Sequence, residues 1–225
     1  LFGSFTIGLV LSFFLYSKTP SFTTIQNALE GNPHFLYYFC MKWLIASDIH
    51  GSSFYCKKLL EKFNEEKADR LLLLGDILYH GPRNDLPKEY NPKIVTALLN
   101  EYSEKISCVR GNCDSEVDQM VLNFPIMAEY AILDVGSRLI FATHGHIFNE
   151  VNPLKMPSGS VLICGHFHVP KILKHENYLY LNTGSVSIPK ENSWHSYILF
   201  DGDRFCWKDL KNGEEKLSIR LSSEY

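Results

Sequence analysis

Apolar runs along this chain stop, one after another, at short polar clusters. Lys42-Trp43-Leu44-Ile45-Ala46-Ser47 reads as a strand feeding a turn at Asp48-Ile49-His50. Cys56, Leu59, Leu60 and Phe63 then recur at i, i+3, i+4 and i+7, which predicts an amphipathic helix over 53–67. Leu71 to Leu74 is continuously apolar, as in a strand covered on both faces, and it stops at Gly75-Asp76. A loop rich in Pro, Gly and Asn (79–92) leads to Asn91-Pro92, a cap and first-turn pair. The helix it opens places Val95, Leu98, Leu99 and Tyr102 on one face. Ile106–Val109 is the third strand and ends at Arg110-Gly111-Asn112, with a short helix expected over 115–122 and Asp114 as its cap.

The rhythm then changes from strand–helix alternation to strand pairs. Ala131–Val135 and Arg138–Thr143 flank the hairpin signal Gly136-Ser137, and the second of them runs into His144-Gly145-His146. Val161–Cys164 ends at Gly165-His166-Phe167-His168. Tyr178–Asn182, Tyr197–Phe200, Arg204–Trp207 and Leu217–Leu221 are further strands, with Asp201-Gly202-Asp203 as a tight turn. The pattern implies a layered α/β domain whose second half is mostly strands, in two sheets with helices outside.

Residues 1–40 do not share this pattern. Leu1 to Tyr16 is almost wholly apolar and the first charge is Lys18. As a helix, sixteen residues span about 24 Å, short of a hydrocarbon core of roughly 30 Å. No basic residues precede the run and no small-residue cleavage site follows it, as a secretory signal requires. The expectation is that Met41 is the true start and 1–40 a non-functional leader, with a truncated membrane anchor over 1–16 or a signal peptide as alternatives. The domain proper is then 41–225.

Composition narrows the function classes. Over 225 residues, 45% hydrophobic and 21% charged content is ordinary for a globular protein. A net charge of −3 without Lys or Arg clusters gives no phosphate-backbone footprint for nucleic acid. The six cysteines, at 40, 56, 108, 113, 164 and 206, lack C-x-x-C spacing. A reducing, cytoplasmic setting fits them better than a disulfide framework.

The polar clusters carry the chemistry. In open α/β sheets, ligands collect where loops leave the carboxyl ends of strands, and every cluster sits at such an end. Asp48, His50, Asp76, Asn112, His144, His166 and His168 are the seven candidate metal ligands. Carboxylates alone suit Mg or Ca, whereas four imidazoles point to Mn, Fe, Ni or Zn. Seven groups exceed what one ion uses, and two ions sharing a carboxylate account for the number. Such a pair holds the attacking and departing oxygens of an in-line displacement at phosphorus and acidifies a shared water. Singly, Asp-x-His or Gly-Asp is more often a turn than a site; the ordered series carries the weight.

With these motifs in hand, the chain resembles the calcineurin-like metallophosphoesterases, and among them the small YfcE-type bacterial phosphodiesterases. The family pattern D-x-H, G-D, G-N-[H/C]-[D/E], H and G-H-x-H is matched in full order over 41–225. Three longer stretches look like the YfcE type: Gly81–Asn84, Arg110–Gln119 and Asn182–Lys190. The resemblance implies a four-layer α/β/β/α sandwich with two mixed sheets flanked by helices. It implies one metal on Asp48, His50 and His168, a second on Asn112, His144 and His166, and Asp76 with a hydroxide bridging them. Manganese is the expected metal. The activity implied is hydrolysis of a small phosphodiester, with Asn112 and Cys113 as catalytic residues. Cys113 stands where many members have His, and a thiol near pKa 8.5 is a weaker proton donor than imidazole. Activated diesters are therefore the expected substrates. Arg110, His80, Arg83 and His146 are the candidate substrate contacts, and a homo-oligomer is expected by likeness to YfcE-type proteins. The competing readings are a phosphomonoesterase or nuclease of the same family, and a non-catalytic scaffold like the eukaryotic Vps29-type proteins.

Overall fold

The computed structural model describes residues 41–136 and 138–221, so the expectations for 1–40 lie outside the described residues. No helix among the described residues is long and apolar enough to cross a membrane.

Two mixed sheets stack face to face. The first has strand order β11-β10-β9-β1-β2-β3, from β1 (Trp43–Ala46), β2 (Arg70–Leu73), β3 (Ile106–Cys108), β9 (Ser196–Phe200), β10 (Arg204–Asp209) and β11 (Glu215–Arg220). β1, β2 and β3 run parallel, with Ile45 opposite Leu72 and Leu72 opposite Ser107; β9, β10 and β11 add antiparallel. The second has order β4-β5-β6-β8-β7, from β4 (Tyr130–Asp134), β5 (Leu139–Thr143), β6 (Ser160–Cys164), β7 (Pro170–Lys174) and β8 (Tyr178–Thr183). β5, β6 and β8 are parallel, and β4 and β7 close its edges antiparallel. β7 has no counterpart in the sequence reading, because its opening Pro170 and its lysines read as loop. Proline is tolerated at the first position of an edge strand, and β7 is one.

Alternation builds the core between the sheets. Ile45, Leu72, Phe200 and Trp207 of the first sheet meet Ile140, Val161, Ile163 and Leu181 of the second. Trp207 Nε1 also donates to the Asn182 carbonyl at 2.7 Å, a polar tie across the layers. The outer face of the first sheet carries α1 (Ser53–Glu65) and α2 (Pro92–Asn100) through Cys56, Leu59, Phe63, Val95 and Leu99. Ser52 caps α1 by accepting from Tyr55 N, and Asn91 caps α2 by accepting from Ile94 N. On the outer face of the second sheet, Leu154 and Met156 of a loop pack over Phe141, Leu162 and Tyr180. Among the described residues that fourth layer is loop rather than helix.

The helix expected over 115–122 is a single turn, α3 (Glu116–Gln119), and its cap is Ser115, not Asp114. Ser115 and Asp118 form a reciprocal capping box, which leaves the Asp114 carboxylate for another task.

Candidate metal centre

Strand ends bring all seven candidate ligands to one side of the sandwich. Asp48 and His50 follow β1, Asp76 follows β2, Asn112 follows β3, His144 follows β5, and His166 and His168 follow β6. The turns are abrupt. Asp48, His50, Asp76, His166 and His168 all have positive φ, between 48° and 64°. Such a backbone costs an L residue about 1–2 kcal/mol, and it persists where its surroundings hold it.

Those surroundings are visible. Asp48 N donates to Gly75 O at 3.1 Å and His50 N to Asp76 O at 2.9 Å, so the loops after β1 and β2 are zipped together. The Asp48 carbonyl accepts from Ser185 Oγ at 3.1 Å and Ser187 Oγ at 2.9 Å, and Asn182 Nδ2 donates to Gly165 O at 2.7 Å. The Asn182–Lys190 stretch is thus a brace behind the ligands. Two glycines permit the closeness: a Cβ on Gly111 would lie 2.1 Å from Asp76 Oδ1, and one on Gly165 would lie 2.0 Å from Ser47 Oγ.

Hydrogen bonding orients the imidazoles. His50 Nδ1 lies 2.8 Å from Tyr79 O, His144 Nδ1 2.6 Å from Leu74 O, and His168 Nδ1 2.6 Å from Ile188 O. A carbonyl only accepts, so each Nδ1 carries a proton and each Nε2 is turned inward. These Nε2 atoms meet carboxylates: His168 to Asp48 Oδ1 at 3.2 Å, His50 to Asp48 Oδ1 at 3.5 Å and to Asp76 Oδ2 at 3.7 Å, His144 to Asp76 Oδ2 at 3.4 Å. Asp76 therefore lies between two groups. On one side are Asp48, His50 and His168, whose ligand atoms all lie within 4.8 Å of one another. On the other, His144 Nε2 lies 3.1 Å from Asn112 Oδ1 and 3.2 Å from His166 Nδ1.

The cluster demands positive charge at its centre. Asp48 Oδ1 is buried and accepts no hydrogen bond, while the inward nitrogens of His50 and His168 stand only 3.4 Å apart. Burial works to raise the Asp48 carboxyl, yet His168 and the other histidines hold it well below the usual range; the same balance lowers Asp76, chiefly through His144. Burial works to lower His144, yet Asp76 and Asp48 lift it to about 9, and His50 is lifted in the same way. His166, desolvated and facing His144, falls to about 4. Without a cation the site holds extra protons; oxygen and imidazole donors with Nε2 committed inward fit a divalent transition metal.

Above the ligands lies a cleft of about 360 Å³ lined by Asp76, Asn112, Cys113, His166 and His168 together with Arg83, Phe167 and Lys190. Cys113 donates its N–H to Asp76 Oδ1 at 2.8 Å, and its Sγ sits 3.2 Å from Asn112 Nδ2. Burial, then Asp76, pushes the thiol pKa up, so it stays protonated. Of the candidate substrate contacts, Arg83 lines the cleft, whereas His80, Arg110 and His146 are not among its lining residues. His80 packs between Tyr79 and Tyr90, and Arg110 is held by Asp114 O and Glu116. His146 stands beside His144, with ring centroids 5.4 Å apart. Phe167 and Lys190 were missed as site residues; their positions within the Gly165–His168 and Asn182–Lys190 motifs were the available signal.

A family model described as a calcineurin-like phosphoesterase superfamily domain matches residues 41–204. The chain belongs to that superfamily. This phosphoesterase is 45% identical over 163 residues to phosphodiesterase YfcE of Escherichia coli K12, covering 72% of this chain and 89% of the relative. The solved structure of YfcE, described as a phosphoesterase from E. coli, matches with TM-score 0.78 and 41% identity over 80% of this chain and all of that one. Vacuolar protein sorting 29 from Cryptosporidium parvum matches with TM-score 0.52 at 19% identity, over 81% of this chain and 99% of its own, which shows a shared fold alone.

Proposed function

We propose that this phosphoesterase is a divalent-metal phosphodiesterase working from a dinuclear centre, in the cytoplasm and with manganese as its metal. The hydrolase class and its action on phosphodiesters rest on the family match and on the 45% identity to YfcE. The observation that carries the dinuclear reading is the position of Asp76, between the Asp48–His50–His168 group and the Asn112–His144–His166 group. One ion would be held by each group, with Asp76 shared. When bound, such a pair supplies a nucleophilic water at neutral pH and neutralises charge developing on the phosphoryl oxygens.

The chain's own residues supply the rest. Asp48 and Asp76 bring fixed negative charge into a desolvated pocket, where it attracts cations strongly. Backbone carbonyls hold the Nδ1 protons of His50, His144 and His168, which fixes the rings in the tautomer that presents Nε2. Cys113 offers a protonated but weakly donating thiol at the cleft wall, so the reaction depends on leaving groups that need little proton transfer.

The test is steady-state hydrolysis of bis-p-nitrophenyl phosphate and p-nitrophenyl phosphate by the full chain reconstituted with Mn, beside His144→Ala. Metal-dependent diester cleavage well above monoester cleavage, lost in the variant, is expected. Folded, metal-loaded protein inert with Mn, Ni and Zn would instead favour a scaffold role.

A further inference from the structure

The cleft is larger than a scissile phosphoryl group requires. At about 360 Å³ it falls in the range of small-molecule sites, roughly 300–1,000 Å³. Its lining includes two cations, Arg83 and Lys190, and among the described residues neither is in an ion pair. Arg110 is different, since its guanidinium is taken up by Asp114 O and Glu116. Phe167 lines the same cleft and leaves 46% of its surface open to solvent. Its backbone is pinned between two left-handed residues, and its N–H donates to Gly165 O at 2.7 Å. The ring is therefore carried on a tight, hydrogen-bonded turn.

Charge counting separates these side chains from the reacting group. Two divalent ions set against the carboxylates of Asp48 and Asp76 and the hydroxide they would share leave one positive charge, which the single negative charge of a diester already balances. Arg83 and Lys190 are then positive charges beyond that balance. They have work to do only if the substrate carries a further anionic group. An exposed aromatic face in the same cleft suits a planar ring, which stacks on it whatever its hydrogen-bonding edge.

We propose that the natural substrate is a phosphodiester bearing a planar ring and a second anionic group, seated by Phe167 and by Arg83 with Lys190. This rests on the phosphodiesterase reading above. Turnover is compared on bis-p-nitrophenyl phosphate and methyl p-nitrophenyl phosphate, which share a leaving group and differ in a ring against a methyl. Binding of thymidine 3′,5′-bisphosphate and thymidine 5′-monophosphate to the Mn-loaded full chain is measured by calorimetry.

In Phe167→Ala the kcat/KM ratio of the bis-aryl over the methyl diester should fall by about tenfold, through KM, with Phe167→Leu intermediate. Arg83→Ala and Lys190→Ala should each weaken the bisphosphate by about threefold more than the monophosphate, and added salt should erase the difference. Ratios unchanged in all variants would overturn the proposal. If wild-type protein cleaves neither diester yet binds the bisphosphate with these dependences, the subsite stands and the phosphodiesterase reading falls. Diester cleavage without those dependences has the opposite meaning.

Discussion

Asp114 is only 3% exposed, and both of its oxygens are used. Oδ2 accepts from Asp76 N at 2.9 Å and Gly111 N at 2.7 Å, while Oδ1 accepts from Ile77 N at 2.8 Å. One carboxylate thus clamps the loop that presents Asp76 to the loop that presents Asn112. Burial pushes its pKa up, against the pull of the Ile77 N–H. Asp114→Asn keeps the shape but turns one acceptor into a donor. The amide does least harm by keeping its oxygen on the Asp76 and Gly111 N–H groups, which leaves Ile77 N–H facing an NH₂. An unsatisfied buried donor costs about 1–3 kcal/mol, and two charge-assisted bonds become neutral ones of about half the strength. Relief of the buried charge offsets part of this, so a net loss of about 2–3 kcal/mol is expected. Urea unfolding of metal-free protein measures it. A clamp also sets position, and a misplacement of about 1 Å costs on the order of 100-fold in rate. Turnover of bis-p-nitrophenyl phosphate at saturating Mn should therefore fall by about 10- to 100-fold in kcat with little change in KM. Stability within 0.5 kcal/mol of wild type, or a stability loss with kcat intact, would refute the clamp as a positioning device.

Three other changes follow from the same geometry. Gly165→Ala would drive a Cβ to 2.0 Å from Ser47 Oγ and 2.9 Å from Asp48 Oδ2, so a loss of several kcal/mol or failure to fold is expected by thermal unfolding, and a neutral effect would contradict the packing. Without metal, Asp76 and Asp48 keep a proton on His144 up to about pH 9, so a cation must displace it. Chelator competition from pH 6 to 10 should show affinity rising with pH and levelling above about 9; a flat profile between 7 and 9 would contradict this. Cys113→His places a stronger proton donor in the cleft and should speed alkyl leaving groups by about 10²-fold or more while leaving p-nitrophenyl esters little changed. Equal effects on both would mean that residue 113 does not protonate the leaving group.

Much of the candidate site was legible because the candidate ligands follow the ends of apolar runs. Asp48, Asp76, Asn112, His144 and His166 could be placed at strand ends from the runs alone, and parallel strands put such ends on one side. What stayed hidden depends on contacts between distant segments. Asp114 reads as a helix cap because an acidic residue before a helix usually is one, yet Ser115 does that work and two of the three N–H partners of the Asp114 carboxylate lie 37 and 38 positions away. Ser185 and Ser187 entered only as part of the Asn182–Lys190 stretch, and that they brace Asp48 from 137 and 139 positions off shows only in the fold. β7 was invisible because Pro170 and its lysines suit an exposed edge as well as a loop.

The proposed centre would hold two ions that share Asp76. Manganese titration of metal-free full chain, followed by elemental analysis and electron paramagnetic resonance, tests it most directly. Two equivalents with a spin-coupled spectrum that loses its coupling in Asp76→Asn is the predicted result. One equivalent, or two that remain magnetically independent in the wild type, would contradict it.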